Sequence, residues 1–142
     1  TGGRARPWAG EVAGPDFVAT GNVLVGQKVV QAIADRFAAS AGEDLEERLL
    51  RAIEAGRDAG GQVGNDGHLT ERSAAVLVHG AYDHAELDLR VDLHDHAVDE
   101  LRRAFEEYEL YRGYYRDRGK NPRGAIPQDA FVAQLADKGA AR

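Results

Sequence analysis

Hydrophobic positions change their spacing several times along the chain, and each spacing predicts one type of element. Between Gln27 and Ser40 apolar residues recur every three or four positions, which predicts an amphipathic helix. A second stretch with helical spacing begins after Gly42 and ends at Gly60 and Gly61, residues that favour helix ends. We therefore expect two consecutive helices that cover one face of a sheet.

Other stretches have the spacing or composition of strands and loops. Ser73–His79 is a compact apolar run, typical of a strand buried on both faces. Glu86–Asp92 alternates strictly between apolar and charged residues, which predicts a strand with one face in the core. The first 26 residues are glycine-rich, and within them Phe17–Thr20 predicts a short strand. Residues 60–70, GGQVGNDGHLT, have the composition of a loop.

The last third of the chain predicts two more helices. Val98–Tyr115 has helical spacing, a polar connector RDRGKNPRG follows, and Pro127–Lys138 predicts a short amphipathic helix. The order of elements is typical of a layered α+β protein. Only about three strands are evident, which is near the minimum for an independent sheet. The apolar run Ser73–His79 therefore needs strands that this sequence does not reveal.

Composition and charge exclude several classes of protein. The 142 residues suffice for one domain, and a formal net charge of −6 disfavours a general nucleic-acid binder. The chain has no cysteine, which excludes disulfides, thiolate metal sites and a cysteine nucleophile. Its apolar runs are too short to span a bilayer, and no targeting segment is visible. We therefore expect a cytoplasmic protein that binds neither nucleic acid nor membrane.

The first residues pose a chemical question, because the chain begins with Thr1 followed by Gly2 and Gly3. A threonine hydroxyl is unreactive at neutral pH unless a base lies within hydrogen-bond distance. A free α-amine, with a pKa of about 8, can take that proton, whereas an internal threonine has no such amine. The two glycines allow backbone conformations closed to other residues and leave space around the hydroxyl.

A series of matching pieces occurs in order along the chain and resembles a known family. The resemblance is to the carboxy-terminal portion of an uncharacterised bacterial family that is assigned to the Ntn-hydrolase-like fold and is often mislabelled as fimbrial assembly protein. It extends from residue 1 to about residue 112, which is more specific than a single motif. The matching pieces include Thr1-Gly2, Trp8-Ala9-Gly10, Gly21-Asn22, Leu45–Gly61, Arg72–Val78, Asp88–Asp92 and Glu100–Arg103.

The resemblance implies a fold and a partner. It implies an αββα four-layer sandwich in which residues 1–117 form the carboxy-terminal portion of one Ntn-hydrolase-like domain. The amino-terminal strands then lie on an upstream α-chain of the same precursor, which agrees with the shortage of strands. Residues 118–142 are expected to form a polar connector and a short helix. By fold-level analogy, the unit of the two chains repeats in a homo-oligomer, and no cofactor is expected.

The resemblance also implies an activity, because Ntn hydrolases commonly cut their own chain before a Thr, Ser or Cys that then acts as nucleophile. Thr1 is the candidate nucleophile for cleavage of a small amide substrate, and Asn22 the candidate donor to the oxyanion. Asn22 is equally compatible with a turn or a helix cap. Two alternatives stay open: a hydrolase whose nucleophile lies upstream, with Thr1 a fragment end, and a non-enzymatic binding or assembly scaffold.

The remaining candidates are weaker. Gly2 and Gly21 adjoin the two catalytic candidates and are expected to contact substrate. Arg72, with Ser73 beside it, enters a predicted strand, where a guanidinium can bind a substrate carboxylate or form a surface ion pair. His94 and His96 in DLHDH carry metal-binding groups, but this stretch lies between a strand and a helix, where a polar turn is favoured over a metal site. We expect no metal.

Overall fold

The computed structural model describes residues 7–81 and 83–140, without the side chains of Lys138 and Ala140. These residues form a mixed α+β structure with two antiparallel sheets. The described residues belong to two compact units, the first ending at Arg102 and the second beginning at Arg103. The elements are β1 Trp8–Ala13, β2 Val18–Leu24, α1 Lys28–Ala39, α2 Leu45–Asp58, β3 Gln62–Gly64, β4 Gly67–Leu69, β5 Ala74–His79, β6 Ala85–Val91, α3 Ala97–Lys120 and α4 Gln128–Ala140.

The first sheet has the order β1-β2-β3-β4, and α1 packs on its β1–β2 hairpin. The extended pieces predicted within the first 26 residues are confirmed as these two strands. The apolar stripe predicted for α1 is also confirmed, since Val30 and Ala34 are buried with Ala19 and Leu24 of β2. The spacing of about 3.6 residues per turn brings the helix stripe onto the inward face of the strand.

The helix α2 ends where the sequence predicts, at a pair of glycines. Gly60 and Gly61 have φ angles of 112° and 50°, which residues with a side chain rarely adopt. The Gly61 N–H donates to the Gly56 carbonyl at 3.1 Å, and the Gly61 carbonyl accepts from the Val25 N–H at 3.1 Å. This one turn therefore terminates α2 and ties it to the end of β2.

The loop predicted for residues 60–70 is wrong. Residues 62–69 form the hairpin of β3 and β4, joined by Asn65 and Asp66 and flanked by the pair Gly64 and Gly67. Asn and Asp at the two turn positions are favourable in a tight hairpin, although the strands have only three residues each. Gln62 then pairs with Leu24, which adds the hairpin to the first sheet. The local composition conceals the strands, because three residues are too few to show an alternating pattern.

The second sheet consists of β5 and β6, and both predicted strands are confirmed. The prediction that β5 is buried on both faces is wrong for the described residues. Val76 and Val78 are buried, whereas Ala75 is exposed and Leu77 keeps 54% of its surface. The described residues contain six strands rather than about three, since the short strands escape the sequence pattern.

An ion-pair network joins α2 to the first turns of α3. The Arg102 guanidinium contacts Glu47 through Nη1 at 2.7 Å and Glu54 through Nε at 2.7 Å. Burial by itself raises the pKa of Glu47, but hydrogen bonds from Arg102 and Arg51 outweigh it, so that the pKa is lowered. The side chains of Arg102, Glu47 and Glu54 are only 20–24% exposed, so solvent screens these pairs less than surface pairs.

The second unit contains the rest of α3, a connector and α4. The helix α3 continues to Lys120, five residues beyond the predicted end at Tyr115, so the connector comprises residues 121–127 rather than starting at 116. The Tyr114 ring stacks on Phe131 with centroids 4.3 Å apart, and its hydroxyl donates to the Ile126 carbonyl at 3.2 Å. The helix predicted over residues 127–138 is confirmed as α4.

None of the helices in residues 7–81 and 83–140 combines the length and hydrophobicity that a membrane span requires.

Candidate functional site

Asn22, the candidate oxyanion donor, lies in an irregularity of the β1–β2 hairpin. Trp8 pairs with Leu24 and Gly10 with Gly21, so that Ala9 of β1 faces two residues of β2, Asn22 and Val23. This arrangement is a β-bulge. Bulges occur often beside active sites, because the extra residue redirects a side chain. Asn22 is exposed there, and its amide is available to a ligand.

Val23 gives the bulge an unusual backbone. Its φ angle is 58°, and no other described residue with a side chain has a positive φ. The left-handed region is unfavourable for a β-branched side chain and costs about 1–3 kcal/mol. Such a conformation persists where the surrounding structure enforces it, which is frequent at functional sites. Asn22 therefore lies in a strained part of strand β2, and neither in a turn nor at a helix cap.

Gly21 has a structural reason to be glycine that the sequence does not show. A Cβ added there would come within 2.5 Å of Leu24 Cδ1, and Leu24 belongs to the core against α1. The backbone of β2 therefore approaches the Leu24 side chain closely at the residue before Asn22. A role of Gly21 in substrate binding stays a prediction.

Arg72 and Ser73 lie immediately before β5. Nη2 of Arg72 is 3.6 Å from Oδ1 of Asp95, and the two side chains are 60% and 80% exposed. The Arg72 carbonyl also accepts a hydrogen bond from the His94 N–H at 2.9 Å. A weak exposed pair of this kind contributes little stability and is easily exchanged for another carboxylate.

His94 and His96 occupy a tight turn before α3. The His96 N–H donates to Nδ1 of His94 at 3.0 Å, so the proton of a neutral His94 ring is on Nε2. The two rings are 6.2 Å apart. Among the residues that the structure describes, no group of three His, Asp or Glu side chains is arranged to hold a metal ion.

A cavity of about 500 Å³ in the first unit was not foreseen from the sequence. Its walls are nearly all apolar, and they come from the first strand-forming residues of β2, from both α1 and α2, and from the middle of β5. Within the described residues neither Asn22 nor Arg72 lines it. The principal lining residues are Asp16, Phe17, Val18, Ala19, Ile33, Phe37, Leu49, Ile53, Ala75, Val76 and Leu77.

An aromatic and cationic stack borders this cavity. The Phe17 and Phe37 rings are 5.0 Å apart, and the Arg48 guanidinium lies 4.0 Å from the Phe37 centroid. Nη2 of Arg48 donates to the Phe37 carbonyl at 3.3 Å. The helical spacing places Phe37 on the inward stripe of α1, but its partners Phe17 and Arg48 lie 20 and 11 residues away, so no local pattern reveals the stack.

Thr1 and Gly2 lie outside the described residues. Their association with Asn22 stays a prediction from the resemblance.

Replacement of Val23 by glycine is expected to stabilise the protein. Release of the left-handed strain, about 1–3 kcal/mol, exceeds the cost of added chain entropy, about 0.5–1 kcal/mol. We expect urea unfolding to show a gain of about 1 kcal/mol. Val25→Gly is the matched control, because Val25 is equally exposed (39% against 38%) but has no positive φ, and it should lose stability. A loss in both variants would contradict the assigned strain.

The chain belongs to a family of unknown function, DUF1028, whose model matches residues 1–101. The match ends one residue before the first compact unit ends at Arg102, so the second unit lies outside the matched residues. No curated protein and no solved structure matches the chain.

Proposed function

We propose that the chain is the β-chain of a self-processed Ntn-type amidohydrolase, which cleaves a carbon–nitrogen amide bond with Thr1 as nucleophile. The resemblance of the ordered sequence pieces supports this reaction class. The structural observation that carries it furthest is the strained bulge, which exposes the Asn22 amide in a conformation with an energetic cost. No other described residue with a side chain has a positive φ, so the strain is concentrated beside the candidate oxyanion donor.

In the proposed reaction Thr1 supplies the nucleophile and the base, and Asn22 supplies a side-chain donor to the oxyanion. Thr1 Oγ attacks the amide carbonyl carbon while its proton passes to the α-amine of Thr1. The negative charge on the carbonyl oxygen is stabilised by hydrogen bonds from Asn22 Nδ2 and backbone N–H groups. The carbon–nitrogen bond then breaks, the leaving amine takes the proton from the α-ammonium group, and an ester on Thr1 remains. Water hydrolyses the ester by the same route and releases a carboxylic acid.

The proposed substrate is a small amide, and the reaction uses no cofactor. Arg72 and Ser73 are proposed to bind a carboxylate of the substrate. The exposed position of Arg72 and its long contact with Asp95 are compatible with this role, because a bidentate carboxylate is a better partner for a guanidinium than a single oxygen at 3.6 Å.

The proposed enzyme has an αββα four-layer fold completed by the upstream α-chain, and it assembles as an oligomer of the two-chain unit. Two antiparallel sheets on one pair of helices support one helical layer and one strand layer of this arrangement, and the upstream α-chain is proposed to supply the rest. The first sheet packs on α1 and the second on α2, and α1 packs on α2. One helical layer therefore extends over both sheets.

The test is the intact mass of the longer precursor with Thr1 and with Thr1→Ala. The proposal expects two stoichiometric chains from the precursor with Thr1, cut immediately before it, and one uncut chain from the variant. The hydroxyl of Thr1 is required for cutting because it is the attacking group. Thr1→Ser, which keeps the hydroxyl, should retain cutting. Equal cutting with Thr1→Ala, or none in either protein, contradicts the assignment and directs the search to a nucleophile upstream.

A second candidate function is a non-enzymatic scaffold that binds or assembles with another polypeptide. The open apolar cavity favours it, since Val18 and Leu77 are more than half exposed at its border. The same mass measurement separates the two candidates. A scaffold gives a ragged cut, or none, and the cut is insensitive to Thr1→Ala.

A further inference from the structure

The inward face of the β1–β2 hairpin carries two glycines directly opposite each other, Gly10 and Gly21. A Cβ on Gly10 would come within 2.5 Å of the Trp8 indole. A Cβ on Gly21 would come within 2.5 Å of Leu24 Cδ1. Each glycine is therefore covered by a large side chain of its own strand. The two covering residues are neighbours, because Trp8 and Leu24 form the next cross-strand pair of the hairpin.

The bulge changes which residues of β2 face the core. In a regular strand alternate residues face one side, so that after Ala19 and Gly21 the next inward residue would be Val23. Instead Leu24 is buried, and Asn22 and Val23 are both exposed although they are consecutive. The extra residue therefore moves Leu24 onto the inward face and leaves Asn22 beside the left-handed Val23.

Burial of the Trp8–Leu24 pair favours the bulged register over a regular one. In a regular register Trp8 would lie opposite Val23, and Leu24 would point away from the core that it forms with α1. Trp8 packs against the same core, so the two side chains of the pair are buried together. The apolar surface that this burial removes from water offsets the backbone strain at Val23.

We propose that Trp8 is a positioning residue for Asn22. The indole over Gly10, together with its neighbour Leu24, holds the register in which one residue of β1 lies opposite two residues of β2. Trp8 acts through the backbone of the bulge, and it is not a catalytic residue. The inference rests on the proposed function for the role of Asn22, whereas control of the register by Trp8 is independent of any activity.

Nuclear magnetic resonance of the longer precursor carrying Thr1→Ala tests the register without depending on catalysis. At positive φ the amide and α protons of a residue lie close together, so Val23 should give a strong intraresidue NOE. Trp8→Ala should weaken this NOE to the level of a regular strand residue, and Trp8→Phe, which keeps an aromatic ring, should retain it. Val12→Ala should also retain it. Val12 is the matched control, because it packs against the same core from the inward face of β1 where the pairing is regular.

Gly10→Ala is a second variant that keeps the indole but moves it, because the added Cβ would lie 2.5 Å from the ring. It should weaken the Val23 NOE, and it decides alone if Trp8→Ala fails to fold. Gly26→Ala, whose added Cβ meets no atom within 4 Å, should leave the NOE unchanged. An unchanged NOE in Gly10→Ala would overturn the inference, and so would equal weakening in Trp8→Ala and Val12→Ala.

The rate at which a β-lactone acylates Thr1 in the processed protein separates a positioning role from a structural one. Trp8→Ala should slow acylation by about 10- to 100-fold, because a displaced donor stabilises the oxyanion poorly. In a protein that already carries Asn22→Ala, Trp8→Ala should change the rate by less than about twofold. An equal change in both proteins would overturn the positioning of Asn22. A weakened NOE together with failure of the mass test would keep the control of the register by Trp8 and remove the enzyme.

Discussion

Replacement of Asn22 by alanine is expected to slow acylation of Thr1 by about 100- to 1,000-fold, the usual effect of removing one oxyanion donor. The donor acts on the charge that develops in the transition state, so the variant should still bind its ligand. The measurement is the rate at which the processed protein gains the mass of a β-lactone, a reagent that acylates a hydroxyl by ring opening. Peptide mapping then locates the added mass on Thr1.

Asn65→Ala is the matched control for that experiment, because Asn65 is also exposed and lies in the β3–β4 turn of the same sheet. It should acylate at the rate of the unmodified protein. The urea midpoint of each variant separates loss of the donor from loss of the fold. Acylation of Asn22→Ala at an undiminished rate would remove Asn22 from the site, and the strained bulge would then need another explanation.

Replacement of Arg102 by alanine is expected to lower the free energy of unfolding by about 1–3 kcal/mol at neutral pH. The variant leaves the Glu47 and Glu54 carboxylates, both only 24% exposed, without this guanidinium. The loss should lie between that of an exposed pair and that of a fully buried one, because water reaches part of the network. Urea unfolding measures it. Arg90→Ala, which removes a 67% exposed partner of Asp92, should change stability by less than about 0.5 kcal/mol.

The same network predicts how stability depends on pH. The pKa of Glu47 in the folded protein lies below its ordinary value of 4.5, so the folded state favours the carboxylate. Its contribution is fully present above pH 4.5 and is lost as the pH falls through the lower, folded pKa. Arg102→Ala should therefore lose less stability than the unmodified protein as the pH falls below 4.5. Parallel acid titrations of the two proteins would contradict the assigned role of Arg102.

The sequence pattern predicts the helices well because their signals are local. The apolar stripe of α1, which contains Val30 and Ala34, repeats within one or two turns of the helix. The glycines Gly60 and Gly61 end α2 within a single turn. The strand β6 is predicted for the same reason, since its alternation is complete within seven residues. The hairpin of β3 and β4 escapes prediction because three-residue strands are too short to show a period.

The candidate site is predicted only in part. Asn22 is a candidate because of its residue type and its place in the resemblance. The bulge that presents it forms only where one residue of β1 lies opposite two residues of β2. The pattern predicts that Leu77 is buried at the centre of its strand, but its side chain lies on the face of β5 opposite Val76 and Val78 and keeps 54% of its surface. Burial depends on what packs against a strand, and the strand's own residues do not specify that.

The sequence by itself determined the α+β class and the helices α1 and α2, and it supplied Thr1 and Asn22 as candidates. These properties follow from residue type and from spacing within a short window. The tertiary structure decided the left-handed Val23, the apolar cavity, and the contacts of Arg102 with Glu47 and Glu54, 55 and 48 residues away. Each of these depends on partners that folding brings together from distant parts of the chain, and no local periodicity encodes such a pairing.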